Sequence, residues 1–566
     1  MTLLVVCLSA GNLLAQDTNE FQRIAKRIMD AYEVGEELEH APDSTRLYGG
    51  AYLGAGSNGR AMPSGYVTYL RDNLLLTSQL SMDFSEVNST KDVETGFFVG
   101  GDRTTSSDVL TKYRKHDFST RLDYVPSKGH ILTVGVLESF DHRRVNESTI
   151  RTGHDMLGNE ATPAYEEQER SNRDVRLGGL MQYIREFPSG QRLTARLNLK
   201  YNYKPTDVKS ETWSPSQSTV KEGMRQTLHN FDPYAMVRFQ FQPWHGIKCS
   251  LQEKYTIEDM SISDTSTEFD FNTYSSLTSL SAAYAHVWLS LDATVSYENY
   301  ATDITQSWLN TWSHDHTYND WMLTAKATAQ LSEHHKLQLS YDRDIMRPTY
   351  TQLYPYEHIG SSIGVMVVGN TQLSPSKHSQ VKGSYTYSGR HWTLTHSLAY
   401  KRISDDITQT SFYDNVAKRT VKTWVNDARY GYLRYAAEGE MRYGLFSMTM
   451  GFHGQYLSYE GENVSSDKAW SYSFKARPQV QLPDGWTLAT VLLFTGRETH
   501  RYYYNRSNFY LSARAVKQLG DWAIYAIFQD ILEPDRIQVL TNDQANTTTT
   551  TQPNTRCLIV GCSYTF

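Results

Sequence analysis

The chain has 566 residues, with 55 Lys and Arg against 62 Asp and Glu, giving a formal charge of −7. At 39% apolar and 12% aromatic it is too hydrophobic for a disordered chain. It has no basic surplus to neutralise phosphates, so no nucleic-acid partner is expected.

Leu3 to Ala10 form a short apolar run, and Leu13-Leu14-Ala15-Gln16 leads into the polar Asp17-Thr18-Asn19-Glu20. Residues 1–16 therefore resemble a secretory signal cleaved near Ala15, although no Lys or Arg precedes the apolar run. Residues 17–45 are expected to be a short lead-in. Phe21, Ile24, Ala25, Ile28, Met29 and Tyr32 recur at helical spacing, which predicts one amphipathic helix over 19–38. After this point no apolar run reaches the roughly 18 residues of a membrane helix, which excludes a helical membrane protein.

From Arg46 onward the dominant period is two. In 118–124, Phe118, Thr120, Leu122 and Tyr124 oppose Ser119, Arg121 and Asp123. In 193–204, Leu193, Ala195, Leu197, Leu199, Tyr201 and Tyr203 share one face, and Arg196 and Lys200 lie on the other. Val237, Phe239 and Phe241 oppose Arg238, and 289–298 alternates in the same way. Such alternation means strands with one apolar and one polar face. The strands approach the roughly 9–11 residues that cross a bilayer at a tilt. Their apolar faces often end in Tyr, Phe or Trp, as in an aromatic girdle. The polar face, with Arg121, Arg196, Lys200 and Arg238, is then expected to line a wet lumen.

Short turn-forming stretches recur: Pro126–Gly129, Pro188–Gly190, Pro243–Gly246, Ser388–Arg390 and Pro483–Gly485, with weaker ones near Arg71-Asp72, Ala285-His286, Glu333-His334, Gly444 and Gly520. Between them lie longer polar stretches, 88–110, 141–171, 205–227, 258–268, 299–317, 347–377 and 532–554, expected as loops. About ten turns, plus a first strand near 47–55 and a last at 556–566, predict about 22 strands. The fold class is all-β: a transmembrane antiparallel β-barrel over 46–566, of outer-membrane type. Leu558, Val560, Cys562, Tyr564 and Phe566 share one face of the last strand, which resembles an outer-membrane barrel-assembly signal. Cys557 and Cys562 point to opposite faces and cannot bridge, and Cys249 has no sequence partner.

The most specific stretch reads Arg347-Pro348-Thr-Tyr350-Thr-Gln-Leu353-Tyr-Pro355-Tyr356, followed by Gly369-Asn370-Thr371-Gln-Leu373-Ser-Pro375-Ser376. It resembles the R-P-x-Y-x-x-L-x-P-[FY] … G-N-x-x-L-x-P signature of TonB-dependent receptor barrels, with Thr371 and Ser376 departing from the usual Pro and Glu. The segment Phe509–Pro534 is similar to that family's penultimate hairpin. The resemblance implies transport or binding of a nutrient across the outer membrane of a Gram-negative bacterium. The ligand would be a small molecule, glycan or peptide. Outer-membrane lipid, the barrel-assembly machinery, and the TonB system or a surface lipoprotein are the implied partners. Receptors of this size normally carry a plug in the lumen. A segment as short as 17–45 is not expected to be one, so the alternative is a plug-less barrel acting as a passive pore or as a surface binding or structural protein.

Pro348 and Pro355 fix φ and remove donors, so the chain is expected to leave the sheet as an extracellular loop. Gly369-Asn370 should supply a tight turn before the next strand. The ligand-contacting loop residues are expected to be Arg347, Tyr350, Tyr356 and Asn370, with Tyr502 and Tyr503 from the run Arg501–Arg506. His314 and His316 join them from Trp312–Tyr318, read as a loop. Imidazole is a common metal ligand, but residues i and i+2 of any extended segment share a side, so a solvated loop is expected, with no metal site and no cofactor. No nucleophile elbow, P-loop or HExxH is present, so no catalytic residues are assigned and no enzyme is expected.

Overall fold

The computed structural model describes residues 46–71, 73–97, 101–154, 157–215, 217–263, 268–307, 312–354, 365–414, 419–460, 468–499, 503–541 and 545–566. The expected signal (1–16), the helix over 19–38, Tyr356 and Tyr502 lie outside the described residues.

Alternation becomes a single closed antiparallel barrel. Its strands are β1 (Arg46–Gly56), β2 (Arg60–Ala61 and Ser64–Arg71), β3 (Leu74–Phe97), β4 (Asp102–Ser127), β5 (His130–His154) and β6 (Ala164–Glu186). Then come β7 (Arg192–Ser214), β8 (Gln217–Phe231 and Tyr234–Trp244), β9 (Ile247–Ser263), β10 (Glu268–Ala285), β11 (Leu289–Ser307) and β12 (Trp312–Gln330). They are followed by β13 (His335–Met346), β14 (Ser376–Ser388), β15 (Trp392–Asp414), β16 (Arg419–Tyr443), β17 (Phe446–Glu460) and β18 (Lys468–Leu482). The last four are β19 (Trp486–Thr495 and Glu498–Thr499), β20 (Tyr503–Asn505 and Asn508–Leu519), β21 (Trp522–Gln529 and Arg536–Thr541) and β22 (Ala545–Gln552 and Cys557–Thr565). Proline, which cannot donate to the ladder, sits in the gap at Pro63 in β2, Pro233 in β8, Pro534 in β21 and Pro553 in β22.

The expected strand number and all ten short turns are found, and the turns gather at one end. Gly129 and Gly246 occupy left-handed conformations there (φ 76° and 80°), which their turns require and β-branched residues would resist. The long polar stretches differ from expectation. Residues 88–97, 102–110 and 141–154 are paired strand, not loop. β4 runs for 26 residues, roughly two and a half times what a tilted crossing needs. Both faces of these distal halves are polar, so hydrophobic alternation fades while the backbone ladder continues.

One face of the wall points outward and is apolar. Leu76, Phe118, Val136, Met181, Leu280 and Val560 are exposed on it. Trp244, Trp288, Trp486 and Trp522 mark its boundary at the turn end, and Tyr255, Tyr274, Trp321 and Trp470 the other boundary. Inside, Arg121 pairs with Asp123 at 2.8 Å with both side chains buried, and Thr133 donates to the same carboxylate. Arg196 is held by Gln182, and Arg238 by Gln252. Cys249, Cys557 and Cys562 are free thiols.

The barrel closes by two different pairings. The lower part of β22 pairs with β1 from Gly50↔Thr565 to Gly56↔Ile559. The short β1–β2 hairpin ends below its neighbours, so the upper part of β22 pairs instead with β3, from Ala545↔Phe97 to Gln552↔Thr90. Over the lower joint Tyr525 stacks on Tyr52 (5.0 Å, interplanar angle 5°) and donates to the Leu53 carbonyl at 2.8 Å. Gly54 and Gly561 lie beneath it; a Cβ on Gly561 would overlap both the Tyr525 hydroxyl and the Leu53 carbonyl, whereas one on Gly54 meets only side-chain ends. Gly561→Ala should therefore lower stability by about 1–3 kcal/mol through overpacking, and by more than Gly54→Ala, read as the temperature at which the folded band is lost on a semi-native gel.

Candidate functional site

The described parts of the β13–β14 connection, 347–354 and 365–375, do not stand free at the mouth. They pack on the lumen-facing residues of the distal wall. Alternation places Tyr274 and Leu280 of β10 outward, so Phe269 and Phe271 point in. These two, with Leu228, Met260, Ile262 and Ile304, form a buried cluster with Leu353, Tyr354 and Leu373 of the connection. Phe269 meets Tyr354 edge-on at 5.0 Å. Burying large apolar side chains contributes about 1.5–3 kcal/mol each, enough to hold an otherwise irregular segment.

The local chain shape follows from its residues. Pro348 ends the strand, and a short helix α1 (Tyr350–Leu353) follows. The Thr349 N–H donates to Gln352 Oε1 at 2.8 Å, satisfying one of the orphan donors at the helix start. Gly369 is needed for close approach rather than for a tight turn. Its N–H donates to the Tyr354 carbonyl at 2.6 Å, and a Cβ there would collide with the backbone of residues 352 and 354. The Asn370 N–H donates to the Gln352 carbonyl at 2.7 Å, and its side-chain amide donates to the Trp424 carbonyl at 2.9 Å. Asn426 clasps both backbone groups of Ser374. Val365–Val367 pairs in parallel with the distal part of β16.

Arg347 is the electrostatic anchor. It pairs with Glu298 at 2.6 Å and Asp320 at 3.1 Å, and lies over the rings of Tyr300 (4.3 Å) and Tyr318 (5.5 Å). Its side chain is only 12% exposed. The planar guanidinium suits two carboxylates and two ring faces at once. Burial, and then the charge of Glu258, pushes the Tyr300 phenol up to about 12 and raises Tyr350 as well.

The expected residues thus divide. Arg347, Tyr350, Asn370 and His316 come together around this seated segment. His316 belongs to β12 rather than to a loop; its Nε2 lies 3.1 Å from the Thr371 carbonyl, and its ring stacks on Tyr318. His314 is paired through its backbone with Ile304. Tyr503 is elsewhere, at the distal start of β20, paired with Leu540 of β21. Glu298, Asp320, Trp424 and Asn426 escaped sequence reading, because nothing local marks a strand residue as the partner of a distant loop.

Elsewhere on the distal wall, β3–β8 and β21–β22 line an open cavity of about 1360 Å³, reached by Glu147, Gln168, Glu222 and Glu533. On the same strands Arg151 and Glu166 pair at 2.6 Å. Burial, only partly offset by Arg151, raises Glu166, with Glu147 and Glu222 adding to the effect.

A closed antiparallel wall, apolar outside with aromatic boundaries and polar within, defines an integral membrane barrel of the outer-membrane class. The model of the outer membrane protein beta-barrel family matches residues 185–564, and the chain belongs to that family. Its short turns are therefore periplasmic and its distal halves extracellular. Solved structures with a similar fold include the copper transporter OprC (TM-score 0.67, 11% identity, 92% of this chain and 81% of that one). Others are the FrpB iron transporter from Neisseria meningitidis (0.61, 10%, 94% and 84%) and the ferric-catecholate import receptor Fiu from K12 E. coli (0.61, 10%, 93% and 82%). No curated protein matches.

Arg347→Ala would leave Glu298 and Asp320 facing each other without a cation, weakening the seating by about 3 kcal/mol. Hydrogen exchange should accelerate at the amides of 350–354 and 369–374. Arg347→Lys keeps the charge but not the fork or the stacking, and should fall between.

Proposed function

We propose that the protein is an outer-membrane receptor and transporter that takes a nutrient ligand, a small molecule, glycan or peptide, at its extracellular mouth. The observation that carries this reading is the β13–β14 segment held against the inner wall by a buried apolar cluster, so that the lumen is not an unobstructed pore. The transport and import named for the three solved relatives supports it. Arg347, Tyr350, Asn370, His316 and Tyr503, with His314, Tyr356 and Tyr502, are the residues proposed to shape or touch the ligand. Residues 1–16 serve as export signal and 17–45 as periplasmic lead-in. The TonB system or a surface lipoprotein supplies energy or capture, and the barrel-assembly machinery inserts the chain among outer-membrane lipids.

The test compares an expressing strain with its deletion. Both are fed pooled metal chelates, oligosaccharides and short peptides, and depletion of the medium is followed by mass spectrometry. One class should be depleted only by the expressing strain, and an uncoupler should stop the depletion. Steady conductance in planar bilayers with uncoupler-insensitive depletion would make the barrel a passive pore. Neither depletion nor conductance would sink the transport reading.

A further inference from the structure

Where the outward wall leaves the apolar belt, three neighbouring strands carry basic side chains directly opposite one another. Arg114 of β4 is paired in register with His142 of β5, and His142 with Arg173 of β6. Alternation from Phe118, Val136 and Leu177, all exposed on the lipid-facing side, puts these three on the outer face. The neighbouring cations are neutralised within the wall: Lys112 pairs with Glu86 at 3.2 Å, and Arg144 with Glu169 at 2.8 Å. Among the described residues neither Arg114 nor Arg173 has an ion pair or side-chain hydrogen bond, and both are exposed. Burial and the fields of Arg173, Arg114 and Arg144 hold the His142 imidazole below its ordinary value, and its Nε2 lies 3.1 Å from Ser171 Oγ. Two exposed guanidinium groups without a protein counter-charge therefore flank a neutral polar side chain.

The spacing suits one anion. Arg114 and Arg173 are two strands apart, about 10 Å between backbones, and both side chains are long enough to converge above His142. Directly below on the same face lie His116, stacked on Phe140 at 5.0 Å, and Val175, and the next row down is Phe118, Glu138 and Leu177. An occupant that is anionic at the level of the arginines would rest its apolar part on Phe140 and Val175, beside His116. The feature is local: at β9–β12 the outward row in register is Asp259, Asn272, Asp303 and Asp315.

We infer that Arg114, His142 and Arg173 form a binding site for the phosphate of an anionic outer-leaflet lipid, whose acyl chains run down over Phe140 and Val175. Arg supplies bidentate, charge-assisted bonds to phosphate oxygens, and His142 one further hydrogen bond.

The test uses the full chain in neutral detergent micelles, with bound lipid counted by native mass spectrometry. The probes are diphosphoryl lipid A, the same lipid with its phosphates removed, and inorganic phosphate. The intact lipid should bind, and the dephosphorylated lipid should bind at least tenfold more weakly. Millimolar inorganic phosphate should not displace the intact lipid. R114Q/R173Q should lose at least tenfold in occupancy, while Arg225→Ala, which removes an outward arginine paired with Asp207, should lose none. Heat-modifiable gel migration checks folding. If the double variant does not fold, the single variants R114Q and R173Q are scored, and each should lose severalfold. Equal binding of the dephosphorylated lipid, or full occupancy in the arginine variants, overturns the proposal. Inorganic phosphate binding as tightly as the lipid overturns the lipid assignment and makes this a site for a soluble anion.

Discussion

Backbone closure is the constraint on which everything else rests. Inside hydrocarbon an unpaired N–H or C=O costs several kcal/mol, so a sheet can cross a bilayer only if it has no edges. Here the last strand meets the first through a ladder running from Gly50↔Thr565 to Gly56↔Ile559. Tyr525, laid flat across glycines, fills the space those residues leave. With the edges removed, side chains are released from holding the sheet together and can divide between lipid outside and water inside.

That division made the fold legible. Leu193 to Tyr203 on one face and Arg196 and Lys200 on the other reveal a wall between two solvents, and Pro–Gly turn chemistry marks the periplasmic ends. Legibility stopped where the solvents became the same. Above the lipid both faces of 88–97 and 102–110 meet water, so no alternation was selected, and the paired strands read as loop. The ladder there depends on register inherited from below, which composition does not record.

The seated segment was legible as a motif but not as a place. Arg347, Pro348, Tyr350, Leu353, Gly369 and Asn370 stand out as a signature, yet the inward packing depends on Phe269, Phe271 and Ile304, ordinary strand residues made special only by facing the lumen. Gly369 shows the limit well. A glycine beside an asparagine suggests a turn, whereas its role is to let two backbones touch. The row of Arg114, His142 and Arg173 was invisible for a related reason: the three are spread over sixty residues of sequence and become neighbours only through register.

The double pairing of the last strand also gives the barrel its outline. At membrane level the wall counts every strand, but at the height where Ala545–Gln552 runs beside β3, the first hairpin has already ended and the wall has two strands fewer. Barrel diameter grows roughly in proportion to strand number, so the wall at that height is about a tenth narrower than the lipid belt. The wall thus narrows above the lipid belt, and a solute passes this smaller ring of strands before it reaches the depth of the membrane.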